Sequence, residues 1–240
     1  SDVMSGYIEM AQGELAYGAK KIKSTNDIDS LKDEADRLRL QSGMFNSVFV
    51  VSNDAVVLAT SPESLDLVGT RLNSSASKLA IEEKKPFISS PLKSVTGNLI
   101  ILLSHPIYDK NGNYIGHVGG SIYLKKHSLF SDVLSRHFFK NNTEISIVSD
   151  DGNVIFNNDK SAVDRPMVMS DDLKSKLTAS DRGEGAFFSS GHRYLLGYAS
   201  MKNTAWNVLV YSRADSVTTI LIAYAKSVLV LLIVIIITFS

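Results

Sequence analysis

Residues 104–124 read SHPIYDKNGNYIGHVGGSIYL, and this stretch decides the fold that the sequence predicts. Apolar and β-branched residues lead into the polar run DKNGN at 109–113 and out of it again. Asn111 and Gly112 both tolerate a positive φ, and this dipeptide is the strongest short-range signal for a tight β-hairpin. The stretch therefore predicts two antiparallel strands joined by a turn.

The outgoing strand of this hairpin contains three glycines, Gly116, Gly119 and Gly120. Glycine inside a strand usually marks a bulge or a close approach by another group. A packed helix is the simpler candidate for that group, and a bound ligand is the other. The pattern alone leaves both open.

The composition and charge exclude several classes of function. The chain has 240 residues, a formal net charge of zero and no cysteine. A neutral chain without a block of Lys and Arg gives no electrostatic reason to expect a nucleic-acid partner. The lack of cysteine removes disulfides, thiolate metal sites and a cysteine nucleophile. We therefore expect neither nucleic-acid binding nor thiol chemistry.

The C-terminal segment, residues 227–240, reads SVLVLLIVIIITFS and carries no charge after Lys226. It is shorter than the about 20 apolar residues of a membrane-spanning helix, but it is too long for a typical strand and lacks a polar face. We interpret it as a truncated transmembrane helix, with the Lys226 ammonium among the lipid headgroups. A buried strand or core helix is the alternative. Because position 1 is not Met, we also expect a first span before Ser1.

Two helices are predicted at the start of the chain. The first carries an apolar stripe with spacings of four and three, close to a heptad. Its members are Met4, Ile8, Ala11, Leu15, Gly18 and Ile22. This stripe could pack on the helix's own domain or form a dimer seam. The second helix is predicted over residues 28–40, and its charged residues, 33–39, are interpreted as a solvated face.

The two halves of the chain repeat one pattern of strand, turn and strand, first at 48–59 and again at 145–156. The aligned pairs include Val51 with Val148, Ser52 with Ser149, Asp54 with Asp151 and Ala55 with Gly152. In each half a loop with a short helix follows, and then further antiparallel strands. An internal repeat of this length predicts two similar small modules in tandem.

The order of these segments resembles the double Cache sensor domains of bacterial membrane receptors, over roughly residues 1–215. The resemblance rests on the long first helix and on short motifs, each weak alone. These are residues 49–58, LVG at 67–69, PFIS at 86–89, PIYDKNGNYIG at 106–116, and Gly185, Tyr198, Trp206 and Val208. It implies an α+β fold: a long N-terminal helix, two tandem PAS-like (Cache) antiparallel-sheet modules and a C-terminal transmembrane helix.

The resemblance also implies a division of the chain into five parts. These are a stalk helix and second helix (1–40), a membrane-distal module (41–126), a connecting helix (127–142), a membrane-proximal module (143–213) and a juxtamembrane and truncated transmembrane helix (214–240).

The function implied is extracytoplasmic sensing of a small molecule. Residues 1–215 would be periplasmic or extracellular, anchored in a bacterial inner membrane and forming a homodimer. The C-terminal helix would pass ligand occupancy to a cytoplasmic output domain. A diguanylate cyclase is the output that we favour, with a chemoreceptor or histidine kinase as alternatives. No cofactor and no metal is expected.

The family motif for amino-acid ligands is missing. Many amino-acid-binding members have an Asp near the end of the last distal strand, and Ser121 stands at that position here. Their Arg-x-Trp-Tyr motif is also absent, since residues 78–83 read KLAIEE. A desolvated ammonium needs an acceptor of this kind. We therefore expect a carboxylate, a small neutral solute or no ligand, and not an α-amino acid.

Five residues are the candidate ligand-binding residues: Phe87, Ser89, Tyr108, His117 and Ser121. Strands alternate their faces, and a Pro-rich edge beside a glycine-rich strand can leave a gap over the sheet. The alternative is that Phe87 and Tyr108 are core aromatics. His117 could make ligand binding depend on pH, because the pKa of histidine is ordinarily near neutrality.

No motif in the sequence points to catalysis. The five histidines lack metal-site spacing, and no nucleophile or nucleotide-binding fingerprint is present. We predict that this chain is not an enzyme, although a cytoplasmic output domain could be one. Two alternatives remain: a ligand-free structural or dimerisation module that acts through protein contacts, and a secreted or lipid-anchored hydrolase. The apolar C-terminal segment argues against the second.

Overall fold

The computed structural model describes residues 2–138, 143–149, 152–157, 159–189, 191–215 and 224. The helices within these ranges are α1 (Asp2–Lys21), α2 (Ile28–Ser42), α3 (Ser75–Glu83), α4 (Leu129–Phe138) and α5 (Asp171–Ala179), with a 3-10 turn at Glu63–Leu65. The strands are β1 (Ser47–Ser52), β2 (Val57–Ser61), β3 (Phe87–Ile88), β4 (Leu92–Lys93), β5 (Leu99–Tyr108), β6 (Tyr114–Tyr123), β7 (Glu144–Val148), β8 (Val154–Asn157), β9 (Arg182–Ser189), β10 (His192–Ser200) and β11 (Asn207–Arg213). The α+β class with two antiparallel sheets is confirmed.

The predicted hairpin is the centre of the first sheet, as strands β5 and β6. Its turn differs in detail from the prediction, because only Gly112 takes a positive φ (83°). The loop is held instead by the Asp109 carboxylate, which accepts hydrogen bonds from the backbone N–H of Asn111 (2.8 Å) and Asn113 (2.9 Å). The Asp109 side chain thus acts as the acceptor that a backbone carbonyl supplies in an ordinary turn.

Aromatic rings, and not a helix or a ligand, explain two of the three glycines in β6. A Cβ at Gly119 would lie 2.5 Å from the Phe49 ring, and one at Gly120 would lie 2.3 Å from the Phe45 ring. The two rings press on opposite faces of the strand, because successive strand residues alternate sides. At Gly116, where φ is 148°, a Cβ would lie 2.1 Å from the backbone oxygen of Val51.

The first sheet, which we call the distal sheet, has the strand order β2-β1-β6-β5-β3, and β4 also pairs with β5. Its inner face packs against α1 and α2 through residues such as Val50, Ile101 and Leu103. Its outer face carries a separate cluster that includes Phe49 and Leu102 and is covered by α3. The Pro-flanked segment around Phe87 forms the edge strand β3, as the sequence predicts.

The apolar stripe of α1 belongs to the core of its own chain. All six of its members are buried, and those with side chains lie in the main cluster. A Cβ at Gly18 would lie 2.8 Å from Leu38 of α2, so glycine allows α1 and α2 to cross closely. The two open interpretations of the stripe are thereby resolved in favour of intradomain packing.

The charged face of α2 is less solvated than predicted. Glu34 is buried, and the Arg37 guanidinium donates to its carboxylate at 2.7 Å. The Arg39 Nε donates to the Ser61 hydroxyl at 2.7 Å. That hydroxyl in turn donates to the Asp36 carboxylate. Part of this face therefore anchors α2 to strand β2, since a desolvated charge needs such partners.

The second sheet, the proximal sheet, has the order β8-β7-β11-β10-β9 and repeats the start of the first. The β1–β2 pair shifts register between Val50 and Val51, and the β7–β8 pair shifts at the aligned position, between Ile147 and Val148. The turn residues Ala55 (φ 69°) and Gly152 (φ 81°) also match. The internal repeat is therefore real at the level of backbone conformation. The aligned Asp151 lies outside the described residues.

The two sheets, one in each of the predicted tandem modules, share one core. A single cluster runs from the distal sheet through α1 and α4 to the proximal sheet. Its aromatic link consists of Tyr7, Phe130 and Phe156, with ring centroids 5.6 and 6.4 Å apart. The outer face of each sheet keeps a separate cluster. The modules are thus joined through apolar packing along α1.

The predicted transmembrane segment falls outside the described residues, apart from Ala214, Asp215 and Tyr224. Across the ranges that are described, no helix combines the length and the apolar character needed to cross a membrane.

Gly116→Ala tests the close approach of β6 to β1. We expect a loss of about 2 kcal/mol or more in the free energy of unfolding, because the new methyl group would collide with a backbone oxygen that cannot rotate away. Gly197→Ala in strand β10 is the matched control, since its Cβ would meet nothing nearer than 3.9 Å. We expect it to be neutral or stabilising by about 1 kcal/mol. Chemical denaturation measures both, and equal stabilities would contradict this account.

Candidate functional site

A pocket of about 190 Å³ opens on the outer face of the distal sheet. Its apolar lining consists of Phe49, Val57, Leu65, Leu67, Leu72, Leu92, Val95, Ile100 and Leu102. Its polar lining consists of Ser47, Asn73, Ser74, Ser77, Lys93, Ser94, Thr96, Ser121 and Tyr123. The site is thus an apolar cavity with a ring of hydroxyl groups, an amide and one ammonium.

The pocket floor is formed by the outward-facing residues of the central strands. Phe49, Leu102 and Ser121 come from β1, β5 and β6, and register places Ser121 opposite both Ser47 and Leu102. The Ser47 and Ser121 hydroxyls hydrogen-bond to each other, and both side chains are buried. Strand alternation therefore presents two paired hydroxyls at the base of the cavity.

One wall of the pocket is the N-terminus of α3. Ser74 is its N-cap, and the Ser74 hydroxyl accepts a hydrogen bond from the Ser77 N–H at 3.1 Å. The amide N–H groups of a first helical turn create a positive local potential that favours anions. Lys93 on β4 adds a full positive charge at the rim, where it is exposed. Among the described lining residues, none is Asp or Glu. The charged and dipolar groups that the described lining presents are therefore positive.

Of the five predicted binding residues, the structure places only Ser121 in this pocket. Ser89 is buried at the sheet edge, where its hydroxyl accepts from the Leu102 N–H at 2.8 Å. Phe87 packs against the outer cluster at the edge of the sheet. Tyr108 is partly exposed, and its hydroxyl donates to the Lys84 carbonyl at 2.9 Å. The contacts of Ser89, Phe87 and Tyr108 therefore stabilise the edge of the distal sheet and the loop after α3.

The sequence reasoning missed the α3 side of the pocket. Asn73, Ser74 and Ser77 belong to the serine-rich run NSSAS, which is an ordinary capping signal before a helix. The same run lines a ligand-sized cavity only because α3 folds back over the outer face of the sheet. Lys93 and Thr96 were missed for a similar reason, since β4 is a two-residue strand in a loop.

His117 lies on the outward side of β6 but does not line the pocket. It is 1% exposed, its Nδ1 is 3.4 Å from the Tyr114 hydroxyl, and within the described part of the chain its Nε2 has no hydrogen-bond partner. Burial lowers the pKa of His117 to about 4. The imidazole is therefore neutral at physiological pH. No described group of His, Asp and Glu side chains could hold a metal ion.

His117 makes stability depend on pH in one direction. Its pKa falls from the usual 6.5 to about 4 on folding, so the unfolded chain binds the proton more readily between these values. The contribution of His117 to the free energy of unfolding is therefore fully present above pH 6.5. It is lost as the pH falls toward 4, and the loss is at most about 3 kcal/mol. We expect His117→Leu to flatten the unfolding free energy between pH 7 and 4. His127→Ala, at an exposed histidine, is the control. Parallel curves for wild type and His117→Leu would rule out this role.

Comparison with solved structures places the fold among extracellular sensor domains. An extracellular ligand-binding receptor from Desulfohalobium retbaense superimposes with a TM-score of 0.74 at 17% identity, over 88% of this chain and only 38% of that one. The extracellular domain of the putative histidine kinase rpHK1S-Z16 superimposes with a TM-score of 0.70 at 20% identity, over 89% of this chain and 90% of that one. The ligand-binding domain of the Pseudomonas aeruginosa chemoreceptor PctB, in complex with L-Arg, superimposes with a TM-score of 0.66 at 14% identity, over 89% of this chain and 90% of that one.

The sequence comparisons differ in outcome. No curated protein matches this chain. The sequence profile of the Cache domain, in its dCache_1 form, matches residues 4–219 and so covers both sheets and nearly all of α1. The match is to a Cache domain and not to an enzyme fold, as predicted. The chain belongs to the Cache domain family.

Proposed function

We propose that this chain is the extracytoplasmic sensing domain of a bacterial membrane receptor and that its distal pocket binds a small organic anion. The observation that carries the proposal is the lining of the pocket, which combines a helix N-terminus, Lys93 and buried hydroxyls. A carboxylate would accept hydrogen bonds from these groups. A small neutral solute with several acceptors is the second ligand class that would fit.

An α-amino acid fits this pocket poorly. Solved relatives of this fold include the Pseudomonas fluorescens chemoreceptor domain CtaA in complex with L-isoleucine. In the distal pocket of this chain, the α-ammonium of an amino acid would be taken out of water and would need an acceptor. In this chain the described lining offers hydroxyl and amide oxygens but no carboxylate. The sequence-based expectation against amino-acid ligands therefore stands as part of the proposal.

We propose that the signal passes through the distal sheet to α1. The pocket lies on the outer face of β1, β5 and β6, and α1 packs on the inner face of the same sheet. From α1, Ser5 accepts a hydrogen bond from the Lys202 N–H (3.0 Å) in the proximal module. A ligand shifts this packing only if it binds one arrangement more tightly than the other.

The domain division from the sequence is kept as part of the proposal. Residues 41–126 would be the ligand-binding module, and 143–213 would relay the change to a transmembrane helix within 214–240. Residues 1–215 would lie outside the inner membrane. The output domain would be a diguanylate cyclase, a histidine kinase or a chemoreceptor signalling domain.

A second stripe on α1 supports the proposed homodimer. Val3, Met10 and Tyr17 recur every seven residues and are 46%, 57% and 54% exposed. Gly6 and Gly13 lie between them, and a Cβ at either would meet nothing within 4 Å. Large apolar residues and glycines alternating at heptad spacing favour close packing of two such helices. We therefore propose that a second copy packs here. A dimerisation module without a ligand, the alternative function, would use the same stripe.

Lys93→Gln tests the anion pocket. Acetate, propionate, lactate and pyruvate are the probes, each compared with its neutral amide, and binding is measured by calorimetry and by the rise in Tm. We expect at least one carboxylate to bind wild type about tenfold more tightly than the variant, as for the loss of one charge-assisted hydrogen bond. Lys85→Gln, at a comparably exposed lysine away from the pocket, is the matched control. No binding of any probe at millimolar concentration would favour the ligand-free alternative.

Met10→Glu tests the dimer. A buried, unpaired carboxylate in a helix seam is strongly unfavourable, so we expect the dimerisation constant to weaken by about tenfold or more. Leu40→Glu on α2 is the control, because Leu40 is 64% exposed and lies off the stripe. Sedimentation velocity over a concentration series gives the constants. Unchanged association in Met10→Glu would show that α1 does not form the interface.

A further inference from the structure

A second cleft, of about 780 Å³, lies where the distal and proximal modules meet. One side is α1, through Ile8, Glu9 and Gln12. The opposite side is the edge strand β3 with its flanking residues, and the base is the β10–β11 turn, residues 203–206. This cleft is separate from the distal pocket, since the two share no lining residue.

One face of α1 supplies two side-chain acceptors to the cleft, Glu9 and Gln12. Among the described residues, Gln12 Oε1 is one of only two buried side-chain polar atoms without a hydrogen-bond partner, and the other is His117 Nε2. The Gln12 amide orientation is set by its Nε2, which donates to the Phe87 carbonyl at 3.0 Å. The amide oxygen, Oε1, is therefore the atom of Gln12 that remains without a hydrogen-bond partner. A buried acceptor without a partner is costly, and a donor from a ligand would relieve this cost.

The charge of the cleft has the opposite sign to that of the distal pocket. Glu9 is the only ionisable side chain among the described lining residues. It lies three residues before Gln12, so both side chains are on the same face of the helix. One Glu9 oxygen accepts from the Asn203 amide at 3.0 Å, which leaves acceptor capacity on the carboxylate. The site is suited to a ligand that donates hydrogen bonds and carries positive charge.

The apolar part of the cleft includes Trp206 and Ile88, together with Ile8, Pro86, Phe87 and Ala205. Trp206 is 4% exposed, and its turn is closed by the Met201 N–H, which donates to the Trp206 carbonyl at 2.8 Å. This turn is fastened to α1 at two points, by the Ser5 and Glu9 hydrogen bonds to Lys202 and Asn203. An occupant of the cleft would therefore touch both modules at the place where they are joined.

From these contacts we infer that the module junction is a second ligand site, for a small organic amine. The ammonium group would donate to Glu9 and Gln12, and the carbon skeleton would lie against Trp206 and Ile88. Bound there, the amine braces the proximal turn against α1 and the edge of the distal sheet. This inference is independent of the anion pocket.

The chain has a single tryptophan, and it lines this cleft, so tryptophan fluorescence reports on the site directly. Butylamine, putrescine and phenethylamine are the probes, with butyrate and phenylacetate as charge-reversed counterparts. We expect a saturable change in emission with at least one amine and none with its acid. Glu9→Gln should weaken amine binding about tenfold, as for the loss of one hydrogen bond to a charged partner. Gln keeps an oxygen for the Asn203 hydrogen bond, so folding should be preserved.

Gln12→Leu is the second variant, and it should also weaken amine binding. Glu82→Gln is the matched control, because it removes an exposed carboxylate from α3 at a distance from the cleft. Trp206 also borders a neighbouring cavity that contains Lys174, so Lys174→Gln must leave the response unchanged. Lys93→Gln, which tests the anion pocket, must also leave it unchanged. The inference is overturned if no amine gives a saturable response at millimolar concentration, if Glu9→Gln binds as wild type does, or if Lys174→Gln abolishes the response.

Discussion

The packing of the apolar stripe of α1 against the inner face of the distal sheet is the contact on which the rest of the structure depends. Met4, Ile8 and Leu15 are at most 1% exposed, and each large apolar side chain buried in this way contributes about 1.5–3 kcal/mol. The same helix reaches the proximal module through the Tyr7 ring, which packs on Phe130 of α4. Its Ser5 and Glu9 side chains also accept hydrogen bonds from Lys202 and Asn203. One helix therefore ties both sheets into a shared core.

This arrangement gives the two faces of the distal sheet different roles. The inner face is sealed by α1 and α2, with Phe45 pressed against Gly120. The outer face has only a short helix and loops above it, and the Phe49 ring packs against Gly119 there. A cavity can form on the outer face because its cover is thin. The strands that line the cavity touch α1 on their other side. The cavity and α1 are therefore separated by the thickness of one sheet.

The electrostatics of the two cavities follow from which backbone and side-chain groups line them. The distal pocket borders a helix N-terminus and Lys93, whereas the junction cleft borders the side of α1 that carries Glu9. Opposite potentials of this kind would let one domain distinguish an anionic from a cationic ligand without competition between them. On the proposals above, the distal site would change the sheet, and the junction site would change how firmly the two modules are held together.

The sequence by itself determined the secondary structure, the internal repeat and the family. These follow from local signals: the period of apolar residues on α1, the turn residues around Asp109 and Gly112, and the matching of Val51 with Val148. Only the tertiary structure decided what the apolar stripe of α1 packs against, which rings approach the β6 glycines and which residues line each cavity. Ser121 was predictable for the pocket because strand alternation is local, but Ser74 and Lys93 join it from distant parts of the chain. Such convergence depends on how helices and loops pack over a sheet, and no local pattern encodes it.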